Sequence, residues 1–313
     1  LTDLWSIFDF INPGLLGALK PFVEYANRRA EGDYSALRRL VRPFILRRLK
    51  TDRSVIADLP DKVELRDYCG LSREQAGIYA ACVEELRRQL EECDGGMARR
   101  GLVLSYLMRL KQVCNHPAQY LGGGEMEFNP AASGKFLRLQ ELVEEVSSRQ
   151  EKMLVFTQFR EMTAPLESFL ADCFGRHGLV IHGGTPVAAR KALVADFQRE
   201  DGPPFFVLSL KAAGVGLNLT AANHVVHFDR WWNPAVENQA SDRAFRIGQL
   251  RNVMVHKLLC RGTLEERIDQ MLEEKKALAD GVLNDGAEKL LTEMSNEELL
   301  SLVSLGKFLE TQE

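Results

Sequence analysis

Five short apolar runs recur after residue 150: Met153-Leu-Val-Phe156, Leu179-Val-Ile181, Phe205-Phe-Val-Leu208, Val225-Val-His-Phe228 and Val253-Met-Val255. Most are separated by stretches with helical spacing. One runs from Thr185-Pro186, read as cap and first turn, to Gln198; another is capped by Ser133 and continues through Ser147. Short apolar runs alternating with helices predict an α/β fold with a mostly parallel sheet covered on both faces.

The first 130 residues have a different pattern. Leu4-Trp-Ser-Ile-Phe-Asp-Phe-Ile11 has the spacing of a short amphipathic helix stopped by Asn12-Pro-Gly14, and a second helical stretch follows. Leu59 to Cys69 alternates like a strand, expected to be an unpaired edge unless another lobe covers it. Ser72-Arg-Glu-Gln75 has capping-box spacing and opens a helix to about Glu92. Asp94-Gly-Gly96 breaks it, and a further helix, from about Leu102 to Val113, ends at Cys114-Asn-His-Pro117. Gly122-Gly-Gly124 to Pro130 is the clearest linker, and the main domain boundary is expected there. Thr263-Leu-Glu-Glu266 is another capping box, opening a charged helix to about Ala279. Ser295-Asn-Glu-Glu298 begins a last one.

Composition changes this picture little. The chain has 313 residues, 45% hydrophobic and 27% charged, with a net charge of −4. That is globular, with no overall basic signature of nucleic-acid binding. Local patches must then supply any such contact, and the most basic stretch has seven Lys or Arg between Arg38 and Arg53 against the single acid Asp52. It is either a phosphate-facing surface or a solvated helix face pairing with acids elsewhere. No apolar run reaches the roughly 18 residues of a membrane span, and Leu1 begins mid-pattern. A soluble, intracellular segment of a longer polypeptide is expected. Six cysteines scattered singly argue against disulfides and against zinc. Cys114 and His116 could each offer a ligand, but no second pair accompanies them, so no metal site is assigned.

The densest chemistry lies in Gln239-Ala-Ser-Asp-Arg-Ala-Phe-Arg-Ile-Gly-Gln249. Arg243 and Arg246 are three apart, so a helix or tight turn projects both from one face, where they can converge on a polyanion or build a surface ion-pair network. Upstream lie the run His224 to Phe228 and an aromatic turn, Asp229-Arg-Trp-Trp-Asn-Pro234. Three further loops end strands: Thr157-Gln-Phe159, His182-Gly-Gly-Thr185 and Ser209 to Asn218. Small residues, hydroxyls and N–H groups near helix starts suit phosphate oxygens there.

These words resemble the Swi/Snf family of superfamily-two helicase-like, DNA-dependent ATPases, bacterial type. The match is specific at Arg42-Pro-Phe-Ile-Leu-Arg-Arg-Leu-Lys50, Lys211 to Pro234 and Gln239 to Gln249, with Leu4 to Gly17 similar to a block that follows the third helicase motif. The resemblance implies a RecA-like sheet over 131–262, the end of a first motor lobe with a helical protrusion over 1–70, a helical linker and second protrusion over 71–130, and a brace helix with tail over 263–313. It makes Arg243 and Arg246 catalytic arginine fingers. Gly214, Gly216, Gln239 and Asp242 fall on the nucleotide side. Thr157, Gln158, Gly183, Gly184, Thr185, Ser209 and Lys211 fall on the DNA side. Ala213 stands where the family often has glycine, and Phe245 where it often has histidine.

A complete motor of this kind needs a phosphate loop and an acidic pair for Mg²⁺. The nearest approach, Asn129-Pro-Ala-Ala-Ser-Gly-Lys-Phe136, lacks the first glycine and the hydroxyl after the lysine. The resemblance therefore implies the second lobe of an ATP-dependent duplex-DNA translocase. ATP with Mg²⁺ would be held mainly by a first lobe of the same polypeptide, and this piece alone is expected to be inactive. A monomer in the bacterial cytoplasm, associated with the nucleoid, is expected. A strand-separating helicase, an interaction module without its own ATPase activity, and RNA as substrate remain open.

Overall fold

Three strands inside the sheet are buried along their whole length. In the computed structural model, which describes residues 2–28, 34–45, 59–93, 95–122, 128–213, 216–278 and 291–306, these are β2 (Met153–Thr157), β4 (Phe205–Ser209) and β5 (His224–His227), buried at every residue. With β1 (Lys62–Cys69), β3 (Leu179–Ile181) and β6 (Val253–Cys260) they form a six-stranded sheet of order β1-β6-β5-β2-β4-β3. Every pairing is parallel. Alternate residues serve opposite faces, as strand geometry requires. Met153 and Val155 of β2, with Phe205 and Val207 of β4, enter one core; Leu154, Phe156, Phe206 and Leu208 enter the other.

The expectation that residues 59–69 form an unpaired edge holds on one side only: β1 is the end strand of the sheet. β1 pairs along its whole length with β6, from Lys62 opposite Val253 to Cys69 opposite Cys260. Its inward carboxylate Asp67 bonds the His256 ring at 2.9 Å and the Arg138 guanidinium at 2.9 Å. That polar pairing, together with buried Cys69, compensates for exposed Val63, Leu65 and Tyr68.

The chain divides into two compact units, Leu1–Ala57 and Asp58–Glu313, so the main break expected near 122–130 is not a break in packing. Helices α4 (Arg73–Glu91), α5 (Gly96–Asn115) and α7 (Gly134–Ser148) share one hydrophobic core with a face of the sheet, through Tyr79, Leu86, Leu107, Leu110, Phe136 and Leu139. A short α6 (Pro117–Leu121) joins α5 to the glycine-rich stretch, whose residues 123–127 lie outside the described residues. In the smaller unit α1 (Thr2–Ile11), α2 (Leu19–Arg28) and α3 (Ser35–Val41) surround Phe8, Phe22, Leu37 and Val41. Arg47, Arg48 and Lys50 of the basic stretch lie outside the described residues.

Local capping chemistry holds where the side chains have no competing partner. Ser72 and Gln75 close a reciprocal box at α4, as do Ser295 and Glu298 at the last helix, Asn296–Val303. The other capping expectations need correction. The Ser133 hydroxyl donates to the Asn115 carbonyl at 2.6 Å instead of capping α7. Helix α9 (Val187–Gln198) starts after Pro186, because the Thr185 hydroxyl is occupied accepting the His182 N–H at 3.1 Å. Before α12 (Leu264–Leu278), Glu266 accepts the N–H of Gly262, not that of Thr263. Gly134 has a packing reason: a methyl there would lie 1.9 Å from the Gly70 carbonyl oxygen.

Candidate functional site

In a parallel sheet of this kind ligands bind beyond the carboxyl ends of the strands, where successive connections part to either side. Here that point is the end of β2, flanked by β4 on one side and β5 on the other. Thr157 and Ser209 are register partners at the ends of β2 and β4. Both are buried. The Thr157 hydroxyl is committed inside the protein, donating to Asp229 Oδ2 at 2.5 Å, so its side chain orders the strand end. Gln158 donates its backbone N–H to Asp229 Oδ1 at 2.8 Å, while both polar atoms of its side chain are buried with no hydrogen-bond partner among the described residues. Gly183 and Gly184 are exposed in a tight turn after β3, closed by the Thr185 N–H donating to the His182 carbonyl at 2.9 Å. Lys211 is exposed on α10 (Leu210–Ala213), the turn that follows Ser209.

The arginine segment stands beside the continuation of the same loop. Asn233 caps α11 (Pro234–Ser241) by accepting the Ala235 N–H at 2.9 Å, with proline in the first turn. The helix ends at Ser241, so Arg243 and Arg246 ride on consecutive turns and not on a helix. Those turns are sewn to residues 217–222. The Leu219 N–H donates to the Arg243 carbonyl at 3.0 Å, and an Arg246 terminal nitrogen to the Leu217 carbonyl at 3.3 Å. Buried Gln249 donates to the carbonyls of Thr220, Ala222 and Ala244 and accepts the N–H groups of Leu250 and Arg251.

Gly216, exposed at φ +37°, directly precedes Leu217, whose carbonyl Arg246 reaches; Gly214 lies outside the described residues. Gln239 is exposed one turn upstream on α11, and Asp242 caps that helix. Burial and then the neighbouring Arg246 charge depress the Arg243 guanidinium, with Asp242 opposing them. Two like charges held together this way create a local positive field suited to an anion. Phe245 is a core residue, packed beneath the turn with Ala244 and Ala240.

Behind these loops lies a buried polar network that the sequence reading missed. Asp229 gathers Thr157, the Gln158 N–H and, at 3.4 Å, the Asn115 amide. Burial raises its carboxyl, against the pull of Lys111 and Lys135. The ammonium of Lys111 donates to the Arg230 carbonyl and lies 4.4 Å from the Trp232 ring centroid; burial pulls it down to about 8. Arg230 bonds Glu237 of α11 at 2.8 Å and Asp269 of α12, and Asp269 also takes Arg66 of β1 at 2.6 Å. The aromatic turn between β5 and α11 is therefore clamped to α5, α12 and β1 at once. That clamp sets where α11 points the arginines.

Lys135, the nearest candidate for a phosphate-loop lysine, is fully buried. It pairs with Glu265 at 2.7 Å and with the Asn115 amide oxygen at 3.0 Å. Cys114, Cys260 and Glu265 bring possible metal-ligating atoms within 4.8 Å of one another. Lys135 already supplies the positive charge there, and the other Glu265 oxygen accepts the Cys260 N–H at 3.1 Å. His116 turns elsewhere, accepting the Ala118 N–H at 3.0 Å.

His227 carries a testable consequence. Ser241 donates its hydroxyl proton to the Glu237 carbonyl, so the imidazole Nε2–H must donate to Ser241 Oγ at 2.8 Å, and the ring is neutral. Burial lowers its pKa from 6.5 to about 4. The unfolded chain therefore binds the extra proton between those values, and stability falls as pH drops from about 6.5 to about 4, by up to about 3 kcal/mol. Urea unfolding at pH 7 and pH 4.5 is expected to show a smaller acid loss in His227→Gln than in the parent. An identical loss would place the acid sensitivity elsewhere.

Two family models match the chain: the SNF2-related domain over residues 1–119 and the helicase conserved C-terminal domain over residues 134–248. YwqA of Bacillus subtilis strain 168, whose name describes an ATP-dependent helicase/translocase, is 45% identical over 97% of this chain and 33% of its own length. The chain spans about a third of that relative. The Sulfolobus solfataricus SWI2/SNF2 ATPase core in complex with dsDNA aligns at 42% identity and TM-score 0.70, covering 97% of this chain and 64% of that one. The separate C-terminal domain of the Sulfolobus solfataricus SWI2/SNF2 ATPase aligns at 39% identity and TM-score 0.67, over 79% of this chain and 100% of that one. The parallel sheet, the strand-end loops and the arginine turn thus fall within a known pattern, and the chain belongs to the SWI2/SNF2 family.

Proposed function

We propose that this chain is the second motor lobe of an ATP-dependent translocase that moves on double-stranded DNA. The observation that carries the reading is the arginine turn, held by Gln249 and Leu219 against the loop that continues from Ser209 through Gly216. It ties a phosphate-seeking pair to the strand-end loops expected to contact DNA. ATP would bind between this lobe and a first lobe of the same polypeptide. Arg243 and Arg246 would reach its γ-phosphate, with Gly216, Gln239 and Asp242 beside them and Gly214 in the adjoining loop. The first lobe would hold the phosphates and magnesium, since Lys135 is spent on Glu265 and cannot serve a phosphate, and Phe136 stands where a hydroxyl would bind the metal. Thr157, Gln158 and Ser209 would shape the DNA side from beneath, while Gly183, Gly184, Thr185 and Lys211 meet the strand.

The same reading gives roles to the remaining segments. Residues 1–57 would close the first lobe and form a protrusion, while β1 belongs to this lobe's sheet; 71–130 would form a helical linker and second protrusion, and 263–313 a brace and tail. The α12 carboxylates Glu265 and Asp269, ion-paired with Lys135 and Arg230, support the brace role.

The test is ATP hydrolysis by the complete polypeptide and by these 313 residues, each with and without duplex DNA, alongside a strand-displacement assay. Strong duplex stimulation of the complete protein, a silent fragment and no strand displacement are expected. Displacement would make it a helicase. A complete protein silent with duplex, single strands and RNA would leave an interaction module.

A further inference from the structure

Arg160 belongs to none of the motifs, yet it lies over the turn after β3. Its guanidinium is so close to Gly184 that a methyl on that residue would sit 3.3 Å from a terminal nitrogen, and 3.1 and 3.2 Å from the His182 ring. Gly184 therefore leaves the space that lets a side chain from the β2 loop cross to the β3 loop. Arg160 is exposed and has no carboxylate partner among the described residues. Its neighbour Glu161 is drawn away, accepting from the Gln119 amide at 3.0 Å. A second guanidinium reaches the same turn: Arg190 of α9 donates through Nε to the Thr185 carbonyl at 3.0 Å. The Gly183–Thr185 backbone is thus flanked by two arginines from different elements. At Gly183, where a methyl would meet nothing within 4 Å, that backbone is open to close approach.

An unpaired planar fork held against open, glycine-lined backbone matches one ligand chemistry, the phosphodiester. We infer that Arg160 is a DNA-backbone contact, gripping a phosphate of a strand laid across the Gly183–Thr185 turn and bridging the β2 and β3 loops. This inference rests on the reading of those loops as the DNA side. It adds a contact outside the recognised motifs, made by charge and therefore insensitive to base sequence.

The experiment uses the complete polypeptide and a fluorescent 30-base-pair duplex, measuring affinity by anisotropy across a salt series. Losing one phosphate contact flattens the slope of log K against log salt by about 0.9. Arg160→Gln is expected to show that loss and Arg160→Lys to retain most of the slope. Arg149→Gln removes an exposed arginine already paired with Glu145 at 2.8 Å and controls for net charge, so it should leave the slope unchanged. A wild-type slope in Arg160→Gln, or an equal loss in Arg149→Gln, overturns the inference while leaving the motor reading intact. Wild-type protein without salt-dependent duplex binding would instead remove the motor reading itself.

Discussion

Replacing Arg246 by alanine in the complete polypeptide is expected to cut DNA-stimulated ATP turnover by about 10³- to 10⁵-fold while leaving duplex affinity nearly unchanged. The size follows from what a finger arginine does: a fixed, always-charged fork meets charge that spreads over the transferred phosphoryl group only in the transition state. Arg246 is suited to this. It is half-buried, and among the described residues its guanidinium bonds the Leu217 carbonyl and no carboxylate. The turn beneath it is fastened through Gln249 and filled by Phe245, so truncation should not collapse it. Steady-state turnover at saturating duplex, paired with anisotropy, separates the outcomes. Turnover within tenfold of wild type would deny the finger role. Parallel losses of turnover, affinity and melting temperature would make Arg246 structural.

The second large effect concerns stability. Lys135→Met leaves the Glu265 carboxylate, 1% exposed, in the core without its cation and the Asn115 amide oxygen without its donor. Breaking a buried pair from one side costs about 3–5 kcal/mol. The companion Lys135→Met/Glu265→Leu removes both charges and should recover most of that loss. In wild type, burial alone would depress Lys135, and Glu265 instead holds it above the usual lysine range. Urea midpoints of the three proteins test this. A single variant within about 1 kcal/mol of wild type would mean that water reaches the pair.

Much of the fold could be read directly because its signals are local. The five apolar runs are strands, and four of them, β2, β4, β5 and β6, lie between the end strands β1 and β3, where both faces are covered. The boxes at Ser72 and Ser295 need only residues three apart. At Thr263 only the reciprocal half of the box is missing: its hydroxyl caps the helix by accepting the Glu265 N–H and donates to the Cys260 carbonyl. β1 was less legible, because its partner β6 lies 191 residues away and its own exposed face resembles an orphan edge.

The site divides along the same line. Motif words at 157–158, 183–185, 209–216 and 239–249 could be found because each is a short run at a strand end, and their residue types carry the chemistry. By itself the sequence determined the α/β class, the family and the positions of the arginines. It could not disclose the network of Lys111, Asn115, Lys135, Asp229, Arg230, Glu265 and Asp269, whose charges come from α5, α7, the β5–α11 turn and α12. On the page each resembles a surface charge, and Lys135 even resembles the remnant of a phosphate loop. Only the tertiary structure decided that these groups are buried together, because burying a charge is tolerable only beside a partner that the fold, and not the neighbouring residue, supplies.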